Sequence, residues 1–220
     1  MMWIQPVDTL DLVVRGLIVG VVASAPMGPV GVLCVQRTLN KGRWYGFVTG
    51  VGAAVSDIIY ALATGLGMSF ALDLVENPSV MRWLQIVSSA LLFVFGLHIY
   101  HSNPEGRLRP ASKRKGSLLR NGFTGFALTI SNPLIIVLFL VLFARFKFIV
   151  PGYPVEQAIG YVALLCGALL WWLGLTAGIN KVRAQFDLGA LKWINRIIGI
   201  VVMVVSLLAF YLTLRGRSLY

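Results

Sequence analysis

Six apolar runs, each close to twenty residues, occupy more than half of this 220-residue chain, at about 15–36, 46–68, 83–100, 123–144, 155–177 and 195–214. A run of that length crosses the roughly 30 Å of a bilayer's hydrocarbon as a helix. A soluble domain of this size could not bury six of them. Hydrophobic residues make up 58% of the chain and charged ones 12%, against about 25% charged in soluble domains. The period-two alternation of a β-barrel is missing. Backbone groups in lipid must be satisfied within helices, so the chain reads as an all-α polytopic membrane protein with six transmembrane helices, one transmembrane domain over 1–220.

A formal charge of +11 would suggest nucleic acid as partner in a soluble chain, so the placement of the charge decides. Thirteen of the nineteen basic residues fall in the first, third and fifth connections: Arg37, Lys41 and Arg43; Arg107, Arg109, Lys113, Arg114, Lys115 and Arg120; Lys181, Arg183, Lys192 and Arg196. The second connection holds only Arg82, and the fourth Arg145 and Lys147. Cytoplasmic loops collect Lys and Arg, so the odd loops face the cytoplasm and both termini face outward. The partners this implies are membrane lipids and not nucleic acid. Residues 101–121, with Pro104, Gly106, Pro110 and Gly116, read as a flexible basic connector. Trp44, Tyr45, Trp83, Tyr100, Trp171, Trp172 and Trp193 lie near span ends, as an aromatic belt requires. Ala23-Ser24-Ala25 mimics a signal-peptidase site, but Asp8 and Asp11 stand where a basic n-region belongs and Pro26 follows the would-be cut, so the segment reads as a retained first helix.

Two of the spans are interrupted. Span one contains Ser24-Ala25-Pro26-Met27-Gly28-Pro29, and span four Thr129-Ile130-Ser131-Asn132-Pro133. Three spans per half is an odd number, so halves of about 10–100 and 118–214 would insert in opposite senses, a 3+3 inverted repeat with interrupted helices 1 and 4. Interrupted segments at matching positions point to the binding site of such a transporter. Proline removes an N–H and clashes with the carbonyl four residues back, which should free carbonyls at Val22, Ala25 and Thr129. The half-helix after each break offers N–H groups and a positive dipole end. Carbonyls suit an ammonium and N–H groups a carboxylate, so the pair suits a zwitterion. Ser131 and Asn132 could also cap the second half-helix.

Span two carries a lone acid in the middle of its run, Asp57. An ionisable side chain at mid-membrane costs roughly 2.5 to 3.5 kcal/mol on insertion scales, so it marks an ion or substrate pathway. Gly50, Ala53, Asp57, Ala61 and Thr64, with Tyr60 alongside, recur every three or four residues and form a stripe of mostly small side chains. Such a stripe lets helices approach closely, which turns Asp57 inward, about 11 residues or roughly 16 Å from the cytoplasmic end of its span. Ser56 and Tyr60 are candidate partners for it. Arg15 is expected to snorkel outward. Cys34 and Cys166 carry no disulfide or metal spacing, and no metal ligand set or P-loop is present, so neither a metal nor another cofactor is expected.

The stretch from Ser24 through Gly67, with Gly28-Pro29, the basic turn Gln36-Arg37-Thr38-Leu39-Asn40-Lys41-Gly42-Arg43, and Gly46, Gly50 and Gly52-Ala53-Ala54-Val55-Ser56-Asp57, together with Asn132-Pro133, resembles the LysE/RhtB-type amino-acid exporter family. Two positions depart from the family pattern: Met27 splits its Pro-Gly-Pro, and Leu134 stands where a basic residue often follows Asn-Pro. The resemblance implies a secondary exporter of amino acids or related small metabolites in the bacterial inner membrane; the buried Asp57 adds proton coupling, an antiport, and the absence from the spans of a His-containing metal motif or a nucleophile–base pair argues against an enzyme. The residues on which this rests are Asp57, Pro26, Gly28, Pro29, Ser56, Tyr60, Ser131, Asn132 and Pro133. An inorganic cation is the alternative cargo; a membrane-embedded enzyme or a scaffold are readings from other classes. Glycine-rich faces offer a route for two copies to pair as a homodimer.

Overall fold

A computed structural model describes residues 8–26, 28–70, 78–102, 117–132, 134–181 and 189–215. They form eight helices: α1 (Thr9–Ser24), α2 (Pro29–Lys41), α3 (Arg43–Phe70), α4 (Pro78–His101), α5 (Leu118–Ile130), α6 (Leu134–Phe146), α7 (Pro154–Lys181) and α8 (Gly189–Leu214). Local sequence sets the boundaries. The Asp8 carboxylate caps α1 by accepting from the Leu10 N–H at 2.9 Å. Proline opens α2, α4 and α7, where its missing N–H costs nothing. Gly42, at φ +110°, ends α2 and turns the chain at once into α3.

The helices α3, α4, α7 and α8 are each long and apolar enough to cross a membrane. The other two spans are bent pairs: α1 and α2 meet at 80°, and α5 and α6 at 75°. With the bend shared equally about the membrane normal, the pairs cover about 33 and 31 Å, enough for the hydrocarbon. Counting each bent pair as one span gives the six expected from the sequence, with the interruptions in spans one and four. Pro133 and connector residues 103–116, which include five of its six basic residues, lie outside the described residues, as does Arg183.

Backbone meets backbone at glycines, in matched couples. A Cβ on Gly20 would collide with the Leu164 carbonyl, and one on Gly125 with the Thr49 carbonyl. Gly167 sits against the Leu17 carbonyl, and Gly52 against that of Gly122. Gly46 lies under Thr38, as Tyr161 lies beside Phe143 with ring centroids 6.2 Å apart. A register of 105 residues for the bent pair α1–α2 onto α5–α6, and 115 for α3 onto α7, brings all three couples into coincidence. At the crossing of α4 and α8, Gly96 faces Met203 and Gly199 faces Tyr100, a self-matching pair at a register of 103. The long helices α3 and α7 form the centre: α3 packs against α2, α5 and α6, and α7 against α1 and α2. The largest core cluster gathers Phe139, Leu142 and Phe143 of α6 with Phe148, Leu12, Ala61 and Leu164.

Candidate functional site: the two helix breaks and α3

Asp57 is the fifteenth of the 28 residues of α3, halfway along it, and is 7% exposed. The stripe around it is buried: Ala53 is 2%, Ala61 0% and Thr64 7% exposed. The partner of the carboxylate is neither Ser56 nor Tyr60. Ser24, the last residue of α1, donates its hydroxyl to Asp57 Oδ2 across 3.5 Å. One helical turn further along α3, the Tyr60 hydroxyl donates to the carbonyl oxygen of Ile130, the last residue of α5. A single turn of α3 thus holds the end of the first half-helix of both broken spans.

The freed carbonyl of the second break is accordingly that of Ile130, not Thr129. The Thr129 oxygen accepts from the Asn132 N–H at 3.0 Å, because the chain tightens into a 3₁₀-type turn before α6 begins. Ser131 and Asn132 serve the local turn: the Ser131 hydroxyl donates to the Ala127 carbonyl at 2.7 Å, and Asn132 Oδ1 accepts from the Leu134 N–H at 3.3 Å. Both side chains are exposed. At the first break Pro26 is half-buried, Gly28 caps α2 in an extended conformation, and Pro29 is its exposed first residue. Leu134 occupies the same first position in α6. Ser56 is completely buried and its hydroxyl has no hydrogen-bond partner among the described residues. Thr64, two turns beyond Asp57, is in the same condition.

Each end of the site is tied by an arginine. Arg15 of α1 does not snorkel; it pairs with Asp11 and donates to the carbonyls of Phe146 and Lys147, at 3.1 and 2.9 Å, where α6 ends. That cation complements the negative end of the α6 dipole. Burial, with Arg15 and Arg145 close by, pushes the Lys147 ammonium below the ordinary lysine range. At the opposite end Arg37 of α2, read from sequence as part of the basic first connection, donates to Thr49 Oγ1 at 2.8 Å and to the Asn121 carbonyl at 2.9 Å. It thereby joins α2, α3 and α5.

The placement of Trp172 was not legible in the sequence. Placed in the aromatic belt by its sequence position, it is instead 3% exposed in α7, with its ring on Gly50 and in one cluster with Cys34, Ala53 and Ala54. Trp44, Trp83 and Trp193 are exposed, as belt residues should be. The available signal was Gly50: a glycine facing the interior leaves room for a large side chain opposite. Among the described residues, no three His, Cys, Asp or Glu side chains come together as a metal site. A cavity of about 60 Å³ lined by Val22, Leu142, Arg145 and Ser206, among others, takes no residue from α3.

The family model for the LysE type translocator matches residues 21–213, nearly the whole chain and both breaks. The chain belongs to the LysE type translocator family. A relative from Bacillus subtilis (strain 168), "Putative amino acid efflux protein YcgF", is 23% identical over 209 residues, covering 94% of this chain and 97% of the relative. No solved structure gives a significant match. The protein is thus a multi-pass membrane translocator, with a small-molecule cargo of the kind such proteins carry.

Proposed function

We propose that this translocator is a secondary active exporter of amino acids, driven by proton antiport through Asp57. The observation that carries the reading is the joining of both helix breaks to one turn of α3, through Ser24–Asp57 and Tyr60–Ile130. Protonation at Asp57 alters its bond to α1 directly, and three residues on, the same helix holds α5. A proton is thereby coupled to the geometry of both half-helices that flank the cargo. The relative's name supplies the substrate class, amino acid efflux.

The basic loops support a bacterial inner-membrane orientation with both termini outside. Were both bent pairs re-entrant, the first loop would stay cytoplasmic but the fifth, with its four basic residues, would face outward; broken spans that cross avoid this. On the crossing topology Arg15 ties the outer end and Arg37 the cytoplasmic end. Alternating release of the two ties, by half-repeats 10–100 and 118–214 moving in opposite senses, would give alternating access. Pairing into a homodimer through lipid-facing glycines remains part of the proposal.

The test is efflux from proteoliposomes of the purified protein, preloaded with each of the twenty labelled amino acids, with and without an imposed proton gradient. Gradient-stimulated efflux of one chemical class is the expected result. Efflux of none of them would overturn the reading.

A further inference from the structure

The matched packing of the two halves assigns a counterpart to Asp57. At the 115-residue register fixed by Gly52 and Gly167, by Thr49 and Leu164, and by Gly46 and Tyr161, position 57 of α3 falls on position 172 of α7. The acid of the first half is answered by Trp172 in the second. At the 105-residue register Ser24, the donor to Asp57, falls on Thr129, whose hydroxyl is taken by the Gly125 carbonyl at 3.0 Å. Trp172 is therefore left without the partner that its counterpart has. Its indole N–H, buried in a residue that is 3% exposed, makes no hydrogen bond among the described residues.

A buried unpaired donor costs on the order of 1–3 kcal/mol. An indole offers a donor and no acceptor, so what it lacks is an oxygen. The surroundings place that oxygen. The side chain lies against Gly50, in a cluster with Cys34 of α2 and Ala53 and Ala54 of α3, against which Val30 in the first turn of α2 packs. Ser24, on the other side of the same break, meets Asp57 one turn along α3. The first break thus has an acid on one flank, and on the other a cluster that holds an orphaned indole N–H and packs against the first turn of α2, and a helix start is where anions are favoured.

We propose that Trp172 is a substrate-binding and specificity residue: its indole N–H donates to the carboxylate of the exported amino acid, seated at the start of α2 with its ammonium toward Asp57. The inference rests on the exporter reading and extends it, by requiring a free carboxylate on the cargo. Amino-acid amides and other carboxylate-blocked amines would be poor cargo, and the pocket would be apolar around the ring.

The test compares wild type with Trp172→Phe, which keeps an aromatic ring and removes the N–H. Efflux kinetics are measured for the amino acid that wild type exports best, with its amide as competitor. A donor lost from a charged acceptor raises KM about 10- to 100-fold, with maximal rate little changed, and the preference for acid over amide should collapse. Unchanged KM and unchanged preference would overturn the assignment while leaving the exporter reading intact. Efflux of no amino acid by wild type would instead bring down both. If Trp172→Phe fails to fold, 5-fluorotryptophan-labelled wild-type protein carries the test. Replacing the other five tryptophans singly identifies the Trp172 resonance, which should move with the exported amino acid and not with its amide; a resonance indifferent to both would refute the role.

Discussion

Substituting alanine for Gly52 sets the packing of the two halves against a number. A Cβ at position 52 would stand 1.9 Å from the carbonyl oxygen of Gly122, where ordinary contact begins near 3.4 Å. The obstacle is backbone on a packed helix and cannot rotate away, so α3 and α5 must part by roughly 1.5 Å at their crossing. Overpacking of that kind costs about 1 to 3 kcal/mol, and a rigid backbone neighbour puts Gly52→Ala at the upper end. Gly67, on the same helix, has nothing within 4 Å of its would-be Cβ. Alanine there gains helix propensity of about 0.5 to 1 kcal/mol. Unfolding of the purified variants in detergent, followed by circular dichroism against added SDS, should separate them by more than about 2 kcal/mol, with wild type between. Two variants within about 0.5 kcal/mol of each other would refute the close approach of α3 to α5, and with it the register that relates the halves.

Three further outcomes are expected. Tyr60→Phe leaves the Ile130 carbonyl unpaired, at about 1 to 3 kcal/mol, and should slow efflux by about tenfold while leaving loading affinity unchanged; a wild-type rate would remove Tyr60 from the mechanism. With Cys34 and Cys166 replaced by alanine and a reporter cysteine at Ala25, Arg15→Gln should raise its labelling by an impermeant maleimide from outside. In the same background Arg37→Gln should raise labelling from the cytoplasmic face; the same response to both would contradict opposed ties. Single cysteines at Gly152 and Ser117 test orientation in cells: the first should label without permeabilisation and the second only after it.

The span count, the two breaks and the inward face of Asp57 were legible in the sequence because each is a local signal: an apolar length, a proline within it, a repeat of small residues at helical spacing. Partnerships were less so. Ser56 and Tyr60 are the near neighbours of Asp57 along the helix, yet a carboxylate halfway along α3 is met by whatever helix end crosses there, and that is Ser24. Arg15 was read as snorkelling because a lone arginine near a span end usually has only water to reach for; here the carbonyls of Phe146 and Lys147 are closer. Trp172 was assigned to the belt on span-end position, although its place beyond the middle of a 28-residue helix leaves it well inside the bundle. Aligning prolines 29 and 133 also sets the halves one residue away from the packing register, because proline opens α2 but leucine opens α6.

The coupling role of Asp57 is tested most directly by comparing two modes of transport in Asp57→Asn proteoliposomes. The first is gradient-driven efflux, and the second is exchange of labelled for unlabelled amino acid at equal pH on both sides. Asparagine keeps the size of the side chain and an acceptor for Ser24 but cannot cycle a proton, so exchange should persist at a substantial fraction of the wild-type rate while the response to the gradient disappears. A variant whose efflux still rises with the gradient as wild type's does would contradict the assignment of proton coupling to Asp57.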